Sequence, residues 1–179
     1  MSDPVSIAEI CVGLGEVGGV IFRPWRVDDA PALVAAWADD EIARWNPVPP
    51  NPTLELVESW IESTSSQNEA SVGIDVVAIH DGAIAGEVGL QIDPAQAIGE
   101  VGFWVGSTHR RNGVGRSLLT FAQALAKRLE LAGLVALVDP TNTAAINLLT
   151  AMGWPEIPTK SKRRAFAHRV PSNLRSWAE

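Results

Sequence analysis

Apolar positions along this chain change their period near residue 71, and the two halves predict different elements. In the first half, Val20–Phe22 reads as a short strand ahead of Arg23-Pro24-Trp25. Leu33, Val34 and Trp37 then share one helical face. Asp28 or Asp29 is placed to cap that helix, and Pro31 falls in its first turn, where a missing N–H costs little. Asp39, Asp40 and Glu41 mark its polar end. Pro47–Pro52 holds four prolines in six residues and predicts an extended loop. Leu54, Val57, Trp60 and Ile61 predict a second helix, and the polar stretch Ser63–Ala70 reads as a flexible link.

Beyond residue 71 the pattern shortens to that of strands. Val72–Ile79 and Ala83–Ile92 flank Asp81-Gly82, a strong two-residue hairpin signal, and Glu100–Val105 supplies a third strand. Leu118, Phe121, Ala122, Leu125 and Leu129 fall at helical spacing, with Gly133 ending that helix. Leu134–Val138 has the apolar run of a buried strand. Thr141 or Asn142 caps a helix presenting Ala145, Leu148, Leu149 and Met152, stopped by Gly153, and Arg164–Val170 predicts a last strand. The order helix, helix, three-strand meander, helix, strand, helix, strand is mixed α/β in one domain, without internal repeats.

Composition narrows the class. A chain of 179 residues, 46% hydrophobic and 20% charged, is an ordinary globular domain. No apolar run approaches the roughly 18 residues of a membrane span. Val12–Val20 is glycine-rich and contains Glu16, unlike a signal peptide. The lone Cys11 has no internal disulfide partner and suits a cytoplasmic protein, reading as a small buried hydrophobe. A net charge of −7 opposes nucleic-acid binding and favours cationic partners. The basic cluster Lys160–Arg164 lacks interleaved aromatics and reads as a solvated turn. His80, His109 and His168 are scattered without metal spacing, so no metal is expected.

The chemistry concentrates at His109-Arg110-Arg111-Asn112-Gly113-Val114-Gly115-Arg116, between a strand and an amphipathic helix. Two glycines let backbone approach a ligand, and the helix's first amides lack internal partners at the positive end of its dipole. With Arg110, Arg111 and Arg116, the segment is suited to a diphosphate; a plain strand-to-helix turn is the competing reading. The spacing fits neither a Walker A loop nor the dinucleotide fingerprint.

Arg110-x-x-Gly113-x-Gly115 resembles the acetyl-coenzyme A signature of the GCN5-related N-acetyltransferases (GNAT). So do, in the family's order, Arg23-Pro-Trp-Arg-x-x-Asp28-Asp-Ala, Gly86–Leu90, Glu100-Val-Gly-Phe-Trp-Val105 and Asn142-x-x-Ala-Ile-x-Leu-Leu-x-x-Met-Gly-Trp154. The resemblance is nearest the ribosomal-protein N-terminal acetyltransferase branch. It implies a mostly antiparallel sheet of about 6–7 strands with about four helices, splayed between the fourth and fifth strands. The domain would span residues 20–170, with 1–19 an N-terminal extension and 171–179 a tail. It further implies transfer of an acetyl group from acetyl-coenzyme A directly to a primary amine, of a small molecule or a protein N-terminus. A coenzyme A-binding module without chemistry, or an enzyme using a larger donor such as succinyl-coenzyme A, are the alternatives. A homodimer is left open.

By that resemblance the backbone of Phe103, Trp104 and Val105 holds the acyl-pantetheine arm. Arg110, Arg111, Asn112, Gly113, Val114, Gly115 and Arg116 cradle the diphosphate, and Asn142 bonds the pantetheine, beside its simpler role as a helix cap. Glu100 is the candidate general base, with Glu87 the weaker alternative; the fifth-strand position some relatives use is Leu137. The family's usual acid, a tyrosine seven residues after the asparagine, is replaced by Leu149 in a chain with no tyrosine. Ala145 stands where some relatives place a serine, and Thr150 is a poor acid, so water is left to protonate the departing thiolate. Trp25, Trp45 and Trp104, with the Pro47–Pro52 loop, are candidates for the acceptor wall.

Overall fold

The structure is a computed structural model that describes residues 6–70 and 73–169. Its strands are β1 (Glu16–Val17), β2 (Val20–Pro24), β3 (Gly73–His80), β4 (Ala83–Asp93), β5 (Ile98–Val105), β6 (Gly133–Val138), β7 (Glu156–Ile157) and β8 (Arg164–His168). They form one sheet in the order β1-β2-β3-β4-β5-β6-β8-β7, antiparallel except for β5 and β6. Its helices are α1 (Ile7–Leu14), α2 (Ala30–Trp37), α3 (Asp40–Trp45), α4 (Leu54–Ala70), α5 (Val114–Arg128) and α6 (Thr143–Ala151). The β3–β4 hairpin turns through Asp81 and Gly82 with φ of 52° and 75°, the left-handed pair its sequence called for.

Side chains alternate between the two faces of the sheet, and each face has its own core. Ile74, Val76, Ala78, Val88, Leu90 and Val101 pack with Leu118, Phe121, Ala122 and Leu125 of α5 and with Ile7, Ile10 and Cys11 of α1. Phe22 and Phe121 stack there with centroids 4.1 Å apart. On the other face Val77 and Trp104 meet Trp25, Leu33, Trp37, Ile42, Val57 and Ile61, so α2, α3 and α4 cover it.

Several elements differ from the sequence expectation. The first 19 residues, expected to be an extension, contain α1, whose apolar residues enter the core. Its capping box is complete: the Ser6 hydroxyl accepts from the Glu9 N–H at 3.3 Å, and the Ser6 N–H donates to the Glu9 carboxylate at 2.9 Å. Ser63–Ala70 is not a link but the second half of α4, because Val57, Ile61 and Thr64 keep one buried stripe. Asp39 caps a separate helix, α3, instead of marking the end of α2. Eight strands and six α-helices are therefore present among the described residues, against the 6–7 and four expected. The expected tail 171–179, and the outer ends of the expected strands at Val72 and Val170, lie outside the described residues.

Asp29 occupies the N-cap position of α2, yet its carboxylate turns away from the helix amides. Arg23 forks onto it, with Nη1 and Nη2 donating at 2.6 and 2.8 Å, and the Arg26 N–H donates at 2.9 Å. Burial by itself would raise the Asp29 carboxyl; these bonds and the charges of Arg23 and Arg26 more than offset it and hold it below its ordinary value. The pair fastens the end of β2 to the start of α2. Arg23→Ala leaves a buried acceptor short of donors and should cost about 1–3 kcal/mol in urea unfolding at pH 7. Since the folded carboxyl lies below its ordinary 3.8, its stabilisation is complete above that value and fades as pH falls through the lowered one. The stability gap between wild type and variant should therefore narrow below about pH 4; a gap constant down to pH 3 would contradict this account.

Candidate active site

The parallel pairing of β5 with β6 lasts only three registers, Ile98↔Gly133, Gly99↔Leu134 and Glu100↔Val135. Beyond Glu100 the strands part, and a cavity of about 220 Å³ opens between them. Val101, Gly102 and Phe103 line one side, Ala136, Leu137 and Val138 the other, and Asn142 and Ala145 close it from α6. Arg44, Trp45 and Asn46, at the end of α3, form its rim. The strand edge facing the cavity has unpaired backbone groups, which a ligand can satisfy by hydrogen bonding.

The Arg110–Gly115 segment lies where β5 leads into α5. Arg111 and Gly113 both adopt left-handed backbone, with φ of 67° and 83°. Gly113 is the N-cap of α5 and no side chain caps that helix end, so its first amides keep their free donors. The two glycines serve different ends. A Cβ on Gly113 would meet nothing within 4 Å, so its backbone angle is what demands glycine. A Cβ on Gly115 would come within 3.0 Å of Leu148, so there close packing against α6 demands it.

Arg110 does not extend a free guanidinium. Its Nε donates to the Val105 carbonyl at 3.1 Å and its Nη2 to Asp39 at 3.0 Å, tying the loop to β5 and α3. Arg111, Asn112 and Arg116 are exposed, and Val114 is buried in the core. Asn142 spends its Oδ1 on the Ala145 N–H at 3.1 Å, so the cap role is real, and the residue also lines the cavity.

Glu100 is half-buried at the point where the strands part, and alternation sets it on the same face as Gly102 and Trp104. Phe103 lines the cavity, whereas the Trp104 side chain is buried in the core under α2–α4. Trp25 is buried there too; of the three acceptor-wall tryptophans, Trp45 is the one lining the cavity. Leu149 is fully buried, so the position of the family's tyrosine has become core, and Thr150 is exposed. Sequence reasoning missed Asp75 altogether. Burial pushes its carboxyl up to about 6. Burial first, then the charge of Asp75, push Glu87 up to about 8, while the indoles of Trp25 and Trp104 pull it partly back. A lone Asp in an apolar strand pattern was the available signal.

Residues 20–154 match the family model of the acetyltransferase (GNAT) domain. The chain belongs to the GNAT family. It is an N-acetyltransferase whose acyl donor is acetyl-coenzyme A. No curated protein matches it in sequence. Among solved structures it is similar to Mycobacterium smegmatis RimJ in complex with CoA-disulfide, at 20% identity and TM-score 0.72, covering 84% of this chain and 81% of that one. It is similar to the ribosomal-protein-S5-alanine acetyltransferase of Vibrio fischeri, at 17% identity and TM-score 0.73, covering 86% and 94%. The microcin C7 self-immunity acetyltransferase MccE, in complex with acetyl-CoA and AMP, shares 14% identity at TM-score 0.76, covering 84% and 92%. These likenesses establish a GNAT fold, splayed between β5 and β6. No described helix is long and apolar enough to cross a membrane.

Asp39 links the GNAT loop to the cavity rim, because it caps α3 through the N–H groups of Glu41 and Ile42 while it pairs with Arg110. Asp39→Ala should lower stability by about 1–2 kcal/mol, whereas Asp39→Asn keeps a cap and should cost less than about 1 kcal/mol. Equal losses in thermal or urea unfolding would show that the ion pair, not the cap, dominates.

Proposed function

We propose that Glu100 is the general base of this acetyltransferase and that the acceptor amine is presented to it at the mouth of the β5–β6 cavity. The observation that supports the reading is the parting of the strands immediately after Glu100, beside exposed Gly102. Acetyl-coenzyme A supplies the activated acyl group as a thioester. The chain's part is to bind, orient and move a proton. The β5 stretch Phe103–Val105 borders the gap beyond the last β6 register, and its backbone groups not bonded to β4 are suited to the pantetheine arm, while the Val105 carbonyl already accepts from Arg110. The amides of Asn112 to Arg116 receive the diphosphate at the start of α5, with Arg111 and Arg116 adding exposed positive charge. Arg110 contributes through its backbone and holds the loop in shape through Val105 and Asp39. Asn142 contributes its side-chain amide N–H groups from the far wall.

An alkyl amine is protonated at neutral pH and must lose its proton before it attacks, which is the task assigned to Glu100. The cavity walls at Leu137 and Ala145 are apolar, and the one carboxylate in the lining, Asp139, is held below its ordinary value by hydrogen bonds from the Thr141 hydroxyl and N–H, which makes it a weak base. A thiol with a reference pKa of roughly 8.5 can take its proton from water. The single Cys11 is buried in the core with its thiol pushed up to about 11, mainly by burial, which suits a packing role in a reducing cytoplasm.

Glu100→Gln should lower kcat by about 100-fold or more while leaving coenzyme A affinity within a factor of about two. Full turnover in that variant, followed as thiol release from acetyl-coenzyme A, would remove the assignment. Gly113→Val forces a β-branched residue into left-handed backbone at a strain of about 1–3 kcal/mol. It should weaken coenzyme A binding in calorimetry; unchanged affinity would move the diphosphate elsewhere.

A further inference from the structure

Helix α3 is too short to fix its own place. Its six residues span about 9 Å, well under the roughly 12–15 residues at which an isolated helix becomes even marginally stable in water. Where it stands is therefore decided by what fastens it. Ile42, only 3% exposed, anchors its middle in the tryptophan-rich core. At its C-terminal end the backbone N–H and the side-chain amide of Asn46 both donate to the Ile42 carbonyl at 3.0 Å. At its N-terminal end the fastening is Asp39, and here the helix is joined to a segment 71 residues away in sequence.

A single oxygen carries that junction. Oδ1 of Asp39 accepts from the Glu41 N–H at 2.9 Å, the Ile42 N–H at 3.0 Å and Nη2 of Arg110 at 3.0 Å, so helix cap and ion pair share one atom. Burial by itself would raise the Asp39 carboxyl; the bond from Arg110, the two helix amides and the Arg110 charge more than offset it and hold it below its ordinary value. Arg110 is itself fixed at the other side, where its Nε donates to the carbonyl of Val105, the last residue of β5. At the far end of α3, the Arg44 guanidinium lies over the Trp45 ring, 4.4 Å from its centroid, and its positive charge acts on Asp139 just beyond β6. Arg44, Trp45, Asn46 and Asp139 line the same cavity, whereas Asp39 is not among its lining residues. Helix α3 thus lies across the mouth of the splay, tied at one end to the loop after β5 and facing at the other the segment after β6.

We propose that Asp39 is a positioning residue of the transfer reaction: through Arg110 it ties the orientation of α3, and so the acceptor rim at Arg44, Trp45 and Asn46, to the state of the coenzyme A loop. This rests on the reading given above, in which the diphosphate sits at the amides of Asn112 to Arg116 and the amine at the cavity mouth. A diphosphate on those amides steadies the loop that begins at Arg110. The guanidinium is then held where Asp39 meets it, and Asp39 cannot follow Arg110 without carrying the first turn of α3 along. The side chains of Arg110 and Asp39 are 33% and 21% exposed, so solvent weakens the pair, and the coupling it transmits is a few-fold bias.

The test follows tryptophan emission of the full chain while coenzyme A is titrated in, with calorimetry reporting affinity. The share of the change carried by Trp45 is the part lost in Trp45→Phe. Wild type should show such a share. Asp39→Ser keeps a capping hydroxyl without the carboxylate; its Trp45 share at saturating coenzyme A should fall by about half or more, while its coenzyme A affinity stays within about threefold. Arg110→Gln removes the same bond from the other side and should lose the same share, and it decides the matter if Asp39→Ser does not fold. The double variant should lose no more than either single one, because both act through one interaction. A residue that served only as a helix cap would change the unfolding midpoint and leave the Trp45 share alone. No Trp45 share in wild type, a full share in a folded single variant, or losses that add in the double variant would each overturn the proposal. Coenzyme A that fails to bind at all would overturn the donor-site reading along with it; coenzyme A that binds with a Trp45 signal indifferent to Asp39 overturns the positioning role alone.

Discussion

The parting of β5 and β6 after three registers of parallel pairing is the constraint on which the rest of the molecule depends. Hydrogen bonding across the sheet would be complete if those strands stayed together, and no room would exist for a ligand. By separating at Glu100, they leave a buried strand edge that needs donors and acceptors from elsewhere. The chain continues from each strand into a helix: α5 follows β5 through Arg110–Gly113, and α6 follows β6 with its cap Asn142 lining the gap. Arg110 holds this geometry, bonding the last carbonyl of β5 and the cap of α3 at once.

The two faces of the sheet are packed differently. The face under α5 is packed with branched aliphatics and a stacked phenylalanine pair, giving the rigid backing a strand edge needs if it is to hold a long flexible arm. The opposite face is covered by three helices rich in tryptophan, whose rings meet edge to face.

Much of this was legible in the sequence because local chemistry agreed with tertiary context. Asp81-Gly82, the amphipathic stripe from Leu118 to Leu125, and the Asn142 cap each state their conformation locally, and the structure has them. The ordered family segments conveyed the splay, which no local pattern reveals because it is a failure of pairing between distant strands. What was missed has physical causes as well. The second half of α4 looks polar because a helix with one narrow buried stripe needs apolar side chains only every third or fourth position. Helix α1 carries a capping box at Ser6 and Glu9, but its eight residues span too few turns for a periodic apolar stripe to stand out. Asp75 stands out as a lone acid in an apolar strand, but its burial depends on which residues lie opposite it, and register is not written in a single strand.

The family likeness begins at residue 20, but the cooperative folding unit reaches further back. Ile7, Ile10 and Cys11 are between 3% and 5% exposed because they plug the same core as Phe121 and Leu125. The border of the family match and the border of the packed core thus fall at different residues in this protein. A lineage could exchange or reshape α1 without touching the chemistry, tuning how firmly α5 is held from behind. The segment outside the shared catalytic pattern is then a place where stability can drift independently of activity.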